Sequence, residues 1–350
     1  MVTFRQALAA LRHAPIGLVL MFVTVAVVHK LANAWIQRAS LPGHEHIVLR
    51  RLWMASEAHI GASNAVVGGA GVGFGLRAAM LRSWGVDSAS VGASVLACAS
   101  APSVAMWFVL CFHSLLLCVL GGGSAIHLGT VGLAGAVLGV QVGLGRFLLS
   151  ERGVGFAGRS LHRVRSVLRR RLPRLSVRLR CLDGDPTRWT HEVRDATAEI
   201  VRARRWPLLA SSVVAQLTLG ALLLIAGHLV VPSSVAIDGW AVVRGFAVVR
   251  AMSSFVPLPN GLGVLDVGLV SVLVHAGVPG PAAAIALAVY RFVTLVVPIF
   301  SGAICTAWWR ASAHASRPAR AEGARPEIIH SELAVAEYAK WAKVSVRTAA

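Results

Sequence analysis

The sequence predicts an all-α polytopic membrane protein. It reads as an inverted repeat of helix, glycine-broken re-entrant element and long helix, with an arginine-rich cytoplasmic loop between the halves. Three observations lead there. The chain of 350 residues is 56% hydrophobic and only 14% charged, and it holds several apolar runs near the roughly 20 residues that cross a bilayer as a helix. Two glycine-rich stretches recur at an offset of 192 positions, which sets Gly261, Gly263, Val264 and Gly277 against Gly69, Gly71, Val72 and Gly85. The basic charge, +19 overall, gathers mostly in one inter-helix segment and the C-terminal tail. That is the signature of cytoplasmic retention. It is not that of a nucleic-acid binder, since no aromatic stacking pattern accompanies the charge.

Met1 to His13 is short and carries Arg5 and Arg12. Ala14 to Val28 is apolar, and LANAWI extends this first span to about Ile36. Ala32-Asn33-Ala34 resembles a signal-peptidase site, but His29 and Lys30 interrupt the approach to it, so an uncleaved anchor is expected. Gln37 to Glu57 is polar, with Arg38, Glu45, Arg50 and Arg51. Ala58 to Leu81 is the first glycine-broken stretch and contains Asn64 and Arg77. Ser88 to Leu120 is one long apolar segment, which Pro102 is expected to kink and tilt to accommodate. After the uncharged turn Gly121 to Ser124, Ile126 to Leu149 spans again, and its glycines suit close helix packing in lipid.

Glu151 to Trp206 breaks the pattern. It holds 15 arginines against six acids, a net charge of +9. Residues 150–206 therefore read as a basic cytoplasmic loop between a first membrane half, 1–149, and a second, 207–310. Residues 311–350 form a cytoplasmic tail, in which Pro326 to Val346 has the pattern of a short amphipathic helix. From Arg159 to Arg180 basic and apolar residues alternate. An interfacial helix pair gripping anionic lipid heads fits that pattern, at about 1 kcal/mol per basic residue near the surface; a solvated cytoplasmic loop that fixes topology accounts for it as well. Pro207 to Val231 is the next span. Asp238 to Pro257, with Arg244 and Arg250, leads into the second broken stretch. Pro281 to Trp309 is the last span and ends in the interfacial pair Trp308 and Trp309.

The second broken stretch, Val256 to Arg291, organises the chain. It opens with a turn of Pro257, Pro259, Asn260, Gly261 and Gly263, followed by Asp266. Irregular backbone inside a membrane survives only when buried in protein or lining a wet cavity. An acid just after such a break is a candidate site residue. A plain surface loop with Asp266 in water fits the same residues. Counting spans outward from the basic segment opens the first broken stretch, with turn glycines Gly69 and Gly71, to the cytoplasm and the second to the outside.

No enzymatic pattern emerges. There is no GxSxG, HExxH or P-loop. His29, His59, His113, His127, His228 and His275 share no ligand spacing, and Cys98, Cys111, Cys118, Cys181 and Cys305 show no paired or metal spacing. No enzyme activity, metal or cofactor is expected. Arginine far outnumbers lysine and alanine is abundant, as in a GC-rich bacterial genome.

PLPNGLGVLD at Pro257 to Asp266, with Gly277-Val278 and Tyr290-Arg291 further on, resembles the lysylphosphatidylglycerol synthase transmembrane family, also described as flippase-like. Asn64 through Gly71 to Arg77 and then Gly85 is similar to the family's first motif. The family's second motif usually runs proline, Gly-Gly-Leu-Gly, an acid and a later Tyr-Arg. Here Asp266 stands where glutamate is usual and Asn260 where glycine is usual. The first motif lacks its common proline, and its acidic position is not evident.

The resemblance covers roughly Ala14 to Arg310. It implies the membrane module without the soluble aminoacyl-transferase domain of bifunctional members, since only about 40 residues follow Arg310. It further implies a lipid translocator in the bacterial plasma membrane, passing the headgroup of a phospholipid or lipid-linked substrate through a cavity between two broken elements. Asp266 would meet the headgroup or carry a proton, Arg291, Arg250 and Arg77 would grip phosphate through bidentate hydrogen bonds, and Asn260 and Asn64 would line the path. The rival is a non-catalytic scaffold or regulator of cell-envelope lipid metabolism, for which the basic loop would matter and the glycine breaks would not.

Overall fold

A computed structural model describes residues 12, 14–66, 69–121, 125–171, 186–232, 234–253 and 263–315, and these contain helices and no strand. In chain order the helices are α1 (Ile16–Ala39), α2 (Leu49–Ala65), α3 (Gly69–Ser83), α4 (Ser88–Gly121), α5 (Ala125–Leu149), α6 (Glu151–Arg171), α7 (Pro186–Val230), α8 (Gly239–Ser253), α9 (Val264–His275), α10 (Gly280–Arg291) and α11 (Val297–Ala315). A π-helical turn, Phe292–Val296, joins the last two. Five stretches are long and apolar enough to cross a bilayer: Ile16–Ala39, Ser88–Val119, Leu128–Leu149, Thr187–Val230 and Gly280–Ser312. Their outer faces carry Leu20, Val27, Leu133, Val140, Phe300 and Ile304 well exposed. Water would not tolerate so continuous an apolar surface, and lipid does.

The 192-residue offset is written into backbone geometry. α3 and α9 both end on a left-handed glycine, Gly85 at φ +91° and Gly277 at φ +99°. Val86 N–H then donates to Leu81 O at 3.2 Å, and Val278 N–H to Leu273 O at 3.0 Å. This is the 6→1 bond of a Schellman cap, which only glycine makes without strain. The next helices begin at Ser88 and Gly280, the same distance apart. The first helix of each set follows suit, with α1 at Ile16–Ala39 and the apolar part of α7 running from Pro207 to Val230.

Packing crosses between the sets. α2 lies against α11, and α8 lies against α4, while α1 and α4 both pack along α7. Trp107, Leu222, Leu223, Phe246, Leu269 and Leu273 form the largest apolar core around these contacts. At one end of the bundle, Arg204 pairs with Glu45 at 2.7 Å, Trp309 Nε1–H donates to Ser83 Oγ at 2.9 Å, and Arg50 lies over the Trp308 ring. The exposed Glu45 carboxyl is held below its ordinary value, first by its own backbone N–H and, against some desolvation, by Arg204. Asp87 caps α4 at this end by accepting from the N–H groups of Ala89 and Ser90 at 3.0 and 2.9 Å. At the far end of α7, Asp238 N–H donates to Ala276 O at 3.0 Å, its carboxylate caps α8, and His113 stacks on Trp240.

Three expectations change. Gln37 to Glu57 is not one polar connection: from Leu49 onward it is the first arm of a hairpin, and the break falls after Ala65, where Val66 is extended. Gly69 and Gly71 accordingly sit in the first turn of α3 and not in the turn itself. A Cβ on Gly69 would lie 2.7 Å from the carbonyls of Ala62 and Ser63, so this glycine permits the close approach of the two arms. The segment 150–206 is also largely helical, with α6 and the polar start of α7 packed together. Val154, Val193 and Ile200 of these helices are buried, so the described part of the segment matches a packed helix pair and not a solvated loop. The tail helix expected at Pro326 to Val346 lies outside the described residues.

Candidate functional site

α8 and α9 pack together as the counterpart of the α2–α3 hairpin, and a half-buried ion pair forms at the start of α9. α9 starts from Gly263, whose φ of +85° is left-handed backbone that favours glycine. Asp266 occupies the first turn of α9 and reaches back, its Oδ2 accepting from the Gly263 N–H at 3.0 Å. A carboxylate there also meets the positive end of the helix dipole. The Gly277 turn folds α10 back along α9, which brings Arg291, the last residue of α10, level with Asp266. Arg291 Nε–H donates to Asp266 Oδ1 at 2.6 Å. The guanidinium side chain is 11% exposed and the carboxylate 27%. Arg291 Nη2 is buried with no hydrogen-bond partner among the described residues. Such an atom is costly unless something else satisfies it.

Neighbouring elements extend this centre. Tyr290 is buried beside Arg291. Arg250, in the last turn of α8, is within electrostatic reach of both Tyr290 and the His29 ring of α1. His29 in turn contacts Ala215 O and Thr218 Oγ1 of α7, each at 3.1 Å, and Asn33 at 3.0 Å. The π-helical turn begins immediately after Arg291, and Asn64 of α2 donates to Thr294 O within it at a long 3.4 Å. π-turns inside α-helices concentrate at functional sites.

Arg77 goes elsewhere. It is fully buried and donates to Ser94 Oγ and, at 3.2 Å, to Cys98 Sγ of α4. Ser94 is joined at 2.6 Å to Ser40 at the end of α1. Arg77 thus locks α3 onto α4 and stands apart from Asp266 and Arg291. Pro257, Pro259, Asn260 and Gly261 lie outside the described residues.

One buried centre escaped the sequence reading. Lys30 of α1 pairs with Glu57 of α2 at 2.5 Å, and Ser301 of α11 donates to the same carboxylate oxygen. Glu57 is only 1% exposed. The available signal was Lys30 inside the first apolar span; Glu57 lies in a helix of mixed polarity that gives no such signal. Glu57 falls at the end of the polar stretch Gln37 to Glu57 in the sequence reading, which does not place the start of α2 at Leu49. Among the described residues, no group of three His, Cys, Asp or Glu side chains is placed to hold a metal ion.

The family model for the lysylphosphatidylglycerol synthase TM region matches residues 1–302. No curated protein matches the chain.

Proposed function

Because the chain belongs to the family of the lysylphosphatidylglycerol synthase TM region, we propose that this multi-pass membrane protein of lipid metabolism moves a polar lipid headgroup between leaflets without catalysing a covalent step. A headgroup cannot cross hydrocarbon unaided, because an unpaired charge is too costly to bury. The observation that carries the reading is the Asp266–Arg291 pair, set between apolar helices, with an Arg291 Nη2 that has no hydrogen-bond partner among the described residues. That donor, with Arg250 close by, suits a phosphate oxygen. Asp266 meets the hydroxyl or amine part of the headgroup, while the acyl chains remain in lipid. In this reading Asn64 lines the path, and Arg77 holds the first hairpin in shape.

The reading takes the two hairpins as an inverted repeat in a bacterial plasma membrane, with the basic segment in the cytoplasm. Its support is the shared offset, together with the bases of the hairpins: one lies beside Arg204 and the other beyond Val230 at the far end of α7. Substituted cysteines in a cysteine-free background, His46→Cys and Ser234→Cys, are expected to react with an impermeant maleimide from opposite sides. Labelling from one side would rule the inversion out. The function is tested by leaflet-resolved lipid profiling of cells with and without the protein, using impermeant headgroup reagents. Loss of outer-leaflet exposure of one lipid class in the deletion is expected. Identical profiles would favour a scaffold or regulator.

A further inference from the structure

The centre formed by Lys30, Glu57 and Ser301 lies deep in the bundle on three independent counts. Lys30 is nine residues before the end of α1, about 14 Å along the helix. Glu57 is eight residues past the start of α2, about 12 Å. Ser301 is seven residues before the interfacial Trp308, about 11 Å. The surroundings are apolar: Met54, Ala55 and Ala58 of α2 and Met80 of α3 form the adjoining cluster. The titratable and charged groups near Glu57 are few. Lys30 comes from α1, and Cys305 from α11, where it feels both Glu57 and Lys30. α3 contributes apolar Leu76 and Met80 to the cluster. His59, on the same helix as Glu57, stacks instead on Phe74 at 4.4 Å.

The three groups sit on three different elements. Glu57 belongs to the first hairpin, whereas its partners belong to α1 and α11. Where α2 crosses α11 the contact is between glycines: a Cβ on Gly302 would lie 3.0 Å from the Gly61 Cα. The backbones pack closely there, and Cys305 of α11 joins Met54, Ala55 and Ala58 of α2 in one apolar cluster; the charge cluster is the polar tie between the hairpin, α11 and α1 at that level. If the hairpin separates from α11 and α1, Glu57 loses Lys30 and Ser301 together. A lone carboxylate facing Met54, Met80 and Ala58 is too costly to keep charged, and neutralisation by one proton removes that cost. Lys30, at 20% side-chain exposure, keeps its charge once the opening admits water.

From this placement we propose that Glu57 is a proton-binding site, empty when the first hairpin is closed on Lys30 and Ser301 and occupied by one proton when the hairpin opens. The proton comes from water admitted by the opening and leaves when the pair reforms. Its use as the coupling ion for lipid movement rests on the translocation reading; the proton binding itself does not.

The reporter is Cys305, buried in the same cluster, in protein whose other cysteines are replaced by alanine. The protein is held in nanodiscs of phosphatidylcholine and phosphatidylglycerol. Its labelling by a maleimide is normalised to the same protein unfolded in detergent at the same pH. Lowering the pH from about 8 to about 5 is expected to raise the normalised rate roughly tenfold, as proton binding favours the open state. Glu57→Gln, already neutral, is expected to label fast at both values. Ser301→Ala, which removes one stabilising bond from the charged carboxylate, shifts the transition to higher pH. This variant decides the matter should Glu57→Gln fail to fold. A wild-type rate independent of pH, a Glu57→Gln variant that keeps the wild-type response, or an unmoved transition in Ser301→Ala would each make the pair a packing contact only. No lipid substrate is involved, so a protein that labels as expected but leaves lipid profiles unchanged keeps the proton site and loses the translocation reading.

Discussion

Asp266→Asn abolishes lipid translocation while expression and membrane insertion continue: this is the largest functional effect expected of any single substitution. The amide is nearly isosteric, and its oxygen still accepts from the Gly263 N–H, so the start of α9 survives. What is lost is the charge opposite Arg291. Breaking a buried pair costs about 3–5 kcal/mol. With the carboxylate 27% exposed, solvent screening reduces this to about 2–3 kcal/mol, a factor of roughly 30 to 150. Arg291→Lys keeps the charge but loses the planar fork, so it is expected to be defective as well. The double variant Asp266→Asn with Arg291→Met removes both charges. It should regain thermal stability relative to Asp266→Asn alone and remain inactive. Melting temperature and leaflet exposure of the transported lipid, measured on all three, separate the two roles. Full activity of Asp266→Asn would remove Asp266 from the mechanism.

Gly302→Leu carries the largest expected cost to stability. A Cβ there would stand 2.5 Å from the Glu57 carbonyl, with backbone on both sides and no flexible side chain to yield. Leucine must push α2 away from α11, which strains the core by about 1–3 kcal/mol or more and pulls Glu57 from Ser301. A fall of about 5–10 °C in melting temperature is expected. Gly139→Leu is the control. It lies on α5, has nothing within 4 Å of its Cβ, and is expected to leave the melting temperature unchanged. Equal melting temperatures for Gly302→Leu and the parent would show that the crossing is looser than its geometry.

Much of the fold was legible. Four of the five spans begin and end within a few residues of the apolar runs, because lipid selects for length and apolarity, which are properties of the sequence itself; the fourth, read from Pro207, starts at Thr187 because its polar first turns are helical too. The repeat was legible for a related reason. Gly85 and Gly277 are required by left-handed backbone, and such requirements mark the sequence at fixed places. The hairpin arms were harder. α2 contains Arg50, Arg51 and Glu57 and is shielded by α3 and α11, so it need not be apolar throughout, and no hydropathy pattern marks its start.

The sites divide along the same line. Asp266 and Arg291 stand out as ionisable residues beside glycine breaks in apolar sequence, and the turn at Gly277 between α9 and α10 sets them level. Arg77 has the same outward signature, yet it binds Ser94 and Cys98, because α3 packs its side chain toward α4.

By itself the sequence determined that the chain spans a membrane several times, that two glycine-ended elements recur 192 residues apart, and which charges are anomalous there. Only the tertiary structure decided which of those charges meet. Lys30, Glu57 and Ser301 are separated by 27 and 244 residues, and nothing local to any of them encodes the others. The physical reason is that burial in a membrane constrains each helix separately, through its own length and polarity. The pairing of buried charges depends instead on how the helices cross, and that is set by packing over the whole bundle.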